Sequence, residues 1–455
     1  MGHPPKDAIA RRRAFASTLV EHRVAVIASI VFVWMRVGFI LTTPAFETPD
    51  TSSYRSGQAT RPPLSSMMLS TLGDTPYVAV SALLTSTGFV AIAWALWDPI
   101  RRQRSYIMVA LVAIVSLLPM VLVYEHWLVP DSLLTGLALL ALALASRRLD
   151  ARWYPWAVLA LCTMITLTKE VGIGIVVMVA LVLAVRGSSR LAVTAALSSV
   201  LLFAIVVLPT SDRQGRVFWD QPLDTELTMG RARVIIAGMF WDDLSEELAE
   251  VHQRATRCGM TSEQLIAETF RLTDRFVDYS RCAGLWDAVD DVSPIDLLTA
   301  HVRNPVHVGG AIQRGFTADM GSMAYWSAFP LDQQSLMNAD RVAAGALALL
   351  PALALAIAAG RRRGLRFAVV AILGTMMGLA AALLDPSSQD RHTFVFRIAA
   401  LAVALLALTD ATHGPISTGE SIEDDRDHAD GDEATPESTA TNERTTPIAL
   451  HSAHA

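Results

Sequence analysis

The sequence predicts an all-α polytopic membrane protein of about ten transmembrane helices, with a mostly helical external loop domain. Three observations carry that expectation. Of 455 residues 52% are hydrophobic and only 18% charged, whereas a soluble domain carries roughly a quarter charged residues. The mean hydropathy is +0.40. Apolar runs approaching the roughly 20 residues that cross a bilayer recur along the chain, and basic residues gather in alternate loops between them.

The runs begin near Val24, Pro76, Ile107, Asp131, Trp153, Val171, Leu191, Val342, Phe367 and Phe394. The first follows Arg11, Arg12, Arg13 and Arg23, as a signal peptide would. Arg36 interrupts it and no small-residue cleavage site follows, so it reads as a retained anchor. Orientation comes from the enrichment of Lys and Arg in cytoplasmic loops. Seventeen basic residues fall in alternate loops: Lys6 to Arg23, Arg101 to Arg104, Arg147 to Arg152, Arg186 with Arg190, and Arg361 to Arg366. The opposite short loops hold only Arg55, Arg61, Lys169 and Arg391. Both termini are therefore expected in the cytoplasm. The same parity divides Trp153 to Val185 into two passes that turn at Lys169-Glu170, because arginines flank both ends.

This gives a cytoplasmic N-terminus over 1–23, seven helices over 24–209, an external domain over 210–340, three helices over 341–409 and a tail over 410–455. Between Glu420 and Arg444 ten acids face two arginines, a net of −8 against −6 for the whole chain. The acidic balance thus belongs to the tail, which is too polar to bury a core and is expected to be disordered. Residues 210–340 show helical apolar spacing, as in Leu244, Leu248 and Val251, and again in Leu265, Phe270, Leu272 and Phe276. The three cysteines are too few for a disulfide scaffold or zinc cluster. Cys258 and Cys282 both fall in the external segment, where an oxidising compartment permits one bridge.

The outer loops concentrate the polar chemistry. The first reads Glu47-Thr48-Pro49-Asp50-Thr51-Ser52-Ser53-Tyr54, then Arg61-Pro62-Pro63-Leu64; the second is Tyr124-Glu125-His126-Trp127-Leu128-Val129-Pro130-Asp131. Pro130 suits a first helical turn and Asp131 the positive end of the helix dipole, so capping is an open role for Asp131. Lys169-Glu170 forms the third turn, with an internal ion pair as its structural reading. Ionisable groups at membrane depth are costly, however, and usually mark a site. The last loop supplies Asp390-Arg391-His392 and Arg397. Arginine's fork of donors suits phosphate oxygens, although two arginines at headgroup level also serve as anchors. Carboxylates, a histidine, a lysine and an arginine pair at the outer ends of different helices predict one shared outward-facing site.

Taken in order, Pro49-Asp50-Thr51-Ser52-Ser53-Tyr54 with Arg61-Pro62-Pro63-Leu64, Glu125 with Pro130-Asp131-Ser132-Leu133, Thr168-Lys169-Glu170 and Asp390-Arg391-His392 resemble the polytopic glycosyltransferases of the GT-C fold. The resemblance is to the polyprenyl-phosphate-sugar-dependent branch that includes protein mannosyltransferases and the lipid A aminoarabinose transferase, and it spans residues 24–409. It implies a GT-C-like fold and inverting transfer of a sugar from a polyprenyl-phosphate donor at the outer face of the membrane. The acceptor would be an envelope glycan, lipid or protein, and no nucleic acid takes part. By position, Asp50 looks like the essential acid, either general base or metal holder, and Glu125 and Asp131 resemble the second acidic motif. Lys169 and Arg391 look like partners of the donor phosphate. Tyr54, Arg61, His126, Glu170 and His392 complete the implied substrate-binding set. A divalent metal stays open, since the adjacent Glu125 and His126 cannot form a full coordination shell alone. His392 stands where such enzymes often have tyrosine, and 210–340 carries no recognisable sugar-binding pattern, so the sugar is unspecified.

Two other classes compete. A proton-coupled transporter would also carry intramembrane acids, but such proteins commonly show repeated halves and broken helices at the midplane, and no internal repeat is visible here. The third reading is a non-catalytic membrane scaffold with an external cap.

Overall fold

In the computed structural model the description covers residues 6–42, 45–47, 51–55, 62–97, 102–147, 151–207, 349–359, 362–384 and 389–412, with a few isolated positions besides. Asp50, Arg61, Cys258, Cys282, nearly all of 210–340 and the tail from 413 lie outside the described residues. Among those described, the chain is helical throughout and contains no strand beyond one isolated bridge.

Helix α1 runs over Lys6–Leu41, starting well before Val24 because the arginine-rich approach simply continues the helix. The first outer loop is itself partly helical, with α2 at Thr51–Arg55 and α3 at Pro63–Leu72. Pro63 occupies the first turn of α3, where its missing N–H costs nothing. Gly73, at φ 78°, then turns the chain into α4, Asp74–Leu96. The third apolar run is two helices, α5 at Arg102–Ser116 and α6 at Pro119–His126. Pro119 has no N–H to donate into the preceding turn and its ring opposes continuation. Next come α7 (Asp131–Ser146), α8 (Tyr154–Thr168) and α9 (Gly172–Val185), so the run from Trp153 to Val185 divides at Lys169–Val171. The remaining elements are α10 (Ser189–Leu202), which ends in a π-helical turn at Phe203–Val207, α11 (Leu349–Ala358), α12 (Arg362–Leu384) and α13 (Gln389–Thr412).

Among the described residues two segments are long and apolar enough to cross a membrane, Asp74–Leu96 and Ser189–Val207. Against the expected ten spans, six further apolar helices among the described residues are shorter; Tyr154–Thr168, for example, has 15 residues. At 1.5 Å per residue that is about 22 Å, less than the roughly 30 Å hydrocarbon core.

Helices α7 and α13 are central. All of α7 except Leu140 and Leu144 is buried, as is α13 from Phe394 to Leu408. Helix α4 packs on α7 through two glycines: a Cβ on Gly88 would lie 2.8 Å from Leu139 Cβ, and one on Gly136 would lie 2.7 Å from the backbone of Leu84 and Thr85. Such small residues let helix backbones approach where lipid supplies no hydrophobic drive. Thr85 Oγ1 donates to the Ser132 carbonyl across this contact at 3.0 Å.

Candidate functional site

The residues from Tyr124 to Asp131 form a platform at one end of the bundle. The Phe46 N–H donates to the His126 carbonyl at 2.8 Å and the Leu128 N–H returns to the Phe46 carbonyl at 3.1 Å, a short parallel bridge. Thr51 Oγ1 donates to the Leu128 carbonyl at 3.3 Å, and the Tyr77 hydroxyl to that of Val129 at 3.1 Å. The Tyr124 ring stacks on Phe394 of α13, centroids 4.2 Å apart, and lies against Trp127 at 4.7 Å. Ser65 Oγ bonds the Thr168 carbonyl at 3.0 Å and Ser66 Oγ that of Tyr54 at 3.2 Å. Backbone carbonyls left over at helix ends and in this irregular segment thus find side-chain donors from neighbouring elements.

The opposite ends of the helices meet too. Trp94 Nε1 donates to Ser29 Oγ at 3.1 Å, Arg147 bonds the Trp94 carbonyl, and Arg186 pairs with Asp410 at 3.7 Å over the Phe367 ring. Among the described residues, the first, second and third loops expected outside and the start of α13 thus share one end of the bundle, and Trp94, Arg147, Arg186 and Asp410 share the other.

Two buried ion pairs support the platform. Asp131 sits in the first turn of α7 and Lys169 in the extended link after α8; Nζ and Oδ1 are 2.6 Å apart, with side-chain exposures of 4% and 0%. The carboxylate of Asp131 is thus engaged by lysine, and Pro130, at the cap position, makes no side-chain capping bond. Arg36 and Glu125 form the second pair, Nη1 to Oε1 2.7 Å, both 1% exposed. A third cluster is half exposed. Arg55 Nη2 reaches Glu47 Oε1 at 2.6 Å and Asp74 Oδ2 at 2.7 Å, while its Nε reaches Asp74 Oδ1 at 3.1 Å. Hydrogen bonding to Glu47 first, and to Asp74 next, raises the guanidinium above its ordinary pKa.

Of the residues singled out from sequence, Glu125, His126, Asp131, Lys169 and Tyr54 are all buried at this end. His126 lies edge-on to Phe46 at 6.2 Å. Glu170 is half-buried in the turn beside Lys169. Arg391 and His392 fall in the first turn of α13, one turn before Phe394; their side chains lie outside the described residues. Asp50 lies outside the described residues; of its sequence neighbours, Phe46 and Thr51 are tied to the platform and Glu47 pairs with Arg55. Sequence reasoning missed three partners. Arg36 was visible as a charge interrupting an apolar run, yet nothing in its spacing pointed to Glu125. Arg55 entered only as a basic residue of an outer loop, and Asp74 was not singled out.

Among the described residues no group of three or more His, Cys, Asp or Glu side chains could hold a metal ion. Glu125 and Asp131, two of the carboxylates singled out from sequence, are each held by a cation. Compared with protein-family models, curated proteins and solved structures, the chain matches none.

Proposed function

We propose that the chain is a polytopic membrane glycosyltransferase of GT-C type, moving a sugar from a polyprenyl-phosphate donor to an envelope glycan, lipid or protein acceptor, with inversion. One observation supports this reading: Phe46 and Thr51, which flank Asp50 in sequence, the Asp131–Lys169 pair, and Phe394, three residues after Arg391, lie far apart in the chain and meet at one end of the helix bundle around residues 124–131. Membrane residence is supported by the two long apolar helices and by large apolar side chains left facing outward, including Trp34, Met35 and Trp156. The arginine counts set this end on the external side, with both termini in the cytoplasm and ten passes in all.

The chemistry follows from the residue types. The acceptor hydroxyl gives its proton to the Asp50 carboxylate and its oxygen bonds the anomeric carbon. The bond from that carbon to the phosphate oxygen breaks, and its electron pair leaves with the lipid phosphate. The developing negative charge needs fixed positive groups; Lys169, held in place by Asp131, and Arg391 fill that role. Base and leaving group stand on opposite faces of the sugar, so a single displacement inverts the centre and no second nucleophilic carboxylate is required.

The test is transfer in membranes supplied with polyprenyl-phosphate sugars. Asp50→Asn keeps size but removes the charge, and should lower the rate about 10²- to 10⁴-fold, as for a lost general base, at normal abundance. Arg391→Ala should weaken use of the donor. A fully active Asp50→Asn protein refutes the assignment of the base, and loss of no sugar linkage from the envelope of a deletion strain refutes the activity.

A further inference from the structure

The Arg36–Glu125 pair does more than neutralise a charge inside an apolar bundle. Ser116 ends α5, and in an unbroken helix its carbonyl would accept from the N–H four residues on. The chain instead tightens, with Leu117 N–H on Ile114 and Leu118 N–H on Val115, and restarts at Pro119. Arg36 Nε and Nη2 both donate to that Ser116 carbonyl, at 3.1 and 2.9 Å. Its Nη1 takes Ser86 Oγ of α4 at 2.9 Å and Glu125 Oε1 of α6 at 2.7 Å. The guanidinium lies 5.4 Å from the centre of the Phe89 ring. One side chain of α1 therefore joins α4, the end of α5 and the end of α6. A planar fork of several donors suits hydrogen bonds to the Ser116 carbonyl and Ser86 Oγ together with an ion pair to Glu125.

We infer that Arg36 and Glu125 form a buried pin that fixes α6 and the platform of residues 124–131, and that Glu125 is a positioning residue acting through Arg36 rather than a group that touches substrate. The chain neighbours of Glu125 carry what the pin holds. Tyr124 stacks on Phe394, and the His126 carbonyl receives the strap from Phe46. Glu125 is oriented toward Arg36 and is itself only 1% exposed. Removing either charge alone leaves the other buried without its counter-ion, which is strongly unfavourable, whereas removing both together is tolerated far better.

The experiment is a charge cycle on the full-length protein in membranes and in detergent: Arg36→Gln, Glu125→Gln, the double variant, and Arg36→Lys. Each Gln single should lower abundance and thermal midpoint, and the double should recover most of both, because two amides can bond each other and the Ser116 carbonyl. Arg36→Lys keeps the charge without the fork and should fall between wild type and Arg36→Gln. The activity arm rests on the proposed glycosyl transfer. Per mole of folded protein, the double variant should transfer far better than the roughly 10²-fold or greater deficit expected of a lost acid–base group. A double variant that is stable yet shows that deficit overturns the positioning role. Singles whose effects merely add in the double overturn the pin. If the wild type transfers no polyprenyl-phosphate sugar, the functional reading fails, while the stability cycle still judges the pin.

Discussion

Gly136→Ala tests whether the crossing of α4 and α7 sets the geometry of the polar end. The new methyl would lie 2.7 Å from both Leu84 C and Thr85 N, and 3.0 Å from Leu84 Cβ. Non-bonded heavy atoms are comfortable at about 3.5–4.0 Å, so the helices must part locally by roughly an ångström. The atoms in the way are mostly backbone and cannot rotate aside. Overpacking of this kind costs about 1–3 kcal/mol. Stretching the Thr85–Ser132 bond removes about 1 kcal/mol more. Against this, Ala is the better helix former by about 1 kcal/mol. The net expectation is a loss of about 1–3 kcal/mol, large beside a marginal stability. Thermal unfolding in detergent reads it, with Gly38→Ala as the control: a Cβ there has nothing within 4 Å, so that variant should be neutral or slightly more stable. Transfer should fall as well, because α7 starts at Asp131, whose bond to Lys169 spans 2.6 Å. A Gly136→Ala protein that melts with or above the Gly38→Ala control would refute the reasoning.

Lys169→Met strands a fully buried Asp131 carboxylate and should cost about 3–5 kcal/mol; adding Asp131→Asn should recover abundance on immunoblots but not transfer, since the cation for the donor phosphate stays missing. Arg55→Ala removes a half-exposed cluster and should cost less than about 1 kcal/mol in a melt, yet slow transfer, because the segment carrying Asp50 loses its clasp; initial rates at saturating donor check this. Deleting residues 415–455 spares Asp410, the partner of Arg186, and should leave transfer per mole unchanged in the same membranes.

Helicity, and most of the points where helices stop, are legible in the order of residues alone. Apolar runs dictate helices. Pro63 and the arginine clusters mark their ends, and parity separates α8 from α9 at Lys169. Pro119 signalled the break between α5 and α6, but it sits inside an apolar run whose composition outweighs one residue in any window long enough to suggest a span. The convergence of the outer loops also follows from sequence, because it depends only on which end of each helix a residue occupies. Partner choice does not. Asp131 with Lys169 and Arg36 with Glu125 are set by how α1, α4, α6, α7 and α8 pack, and residues with no periodic relation along the chain meet only once Gly88 and Gly136 let α4 and α7 close. A carboxylate at a helix end therefore looks the same in sequence whether it faces a substrate or a buried arginine; the direction of its side chain, decided by packing, makes the difference.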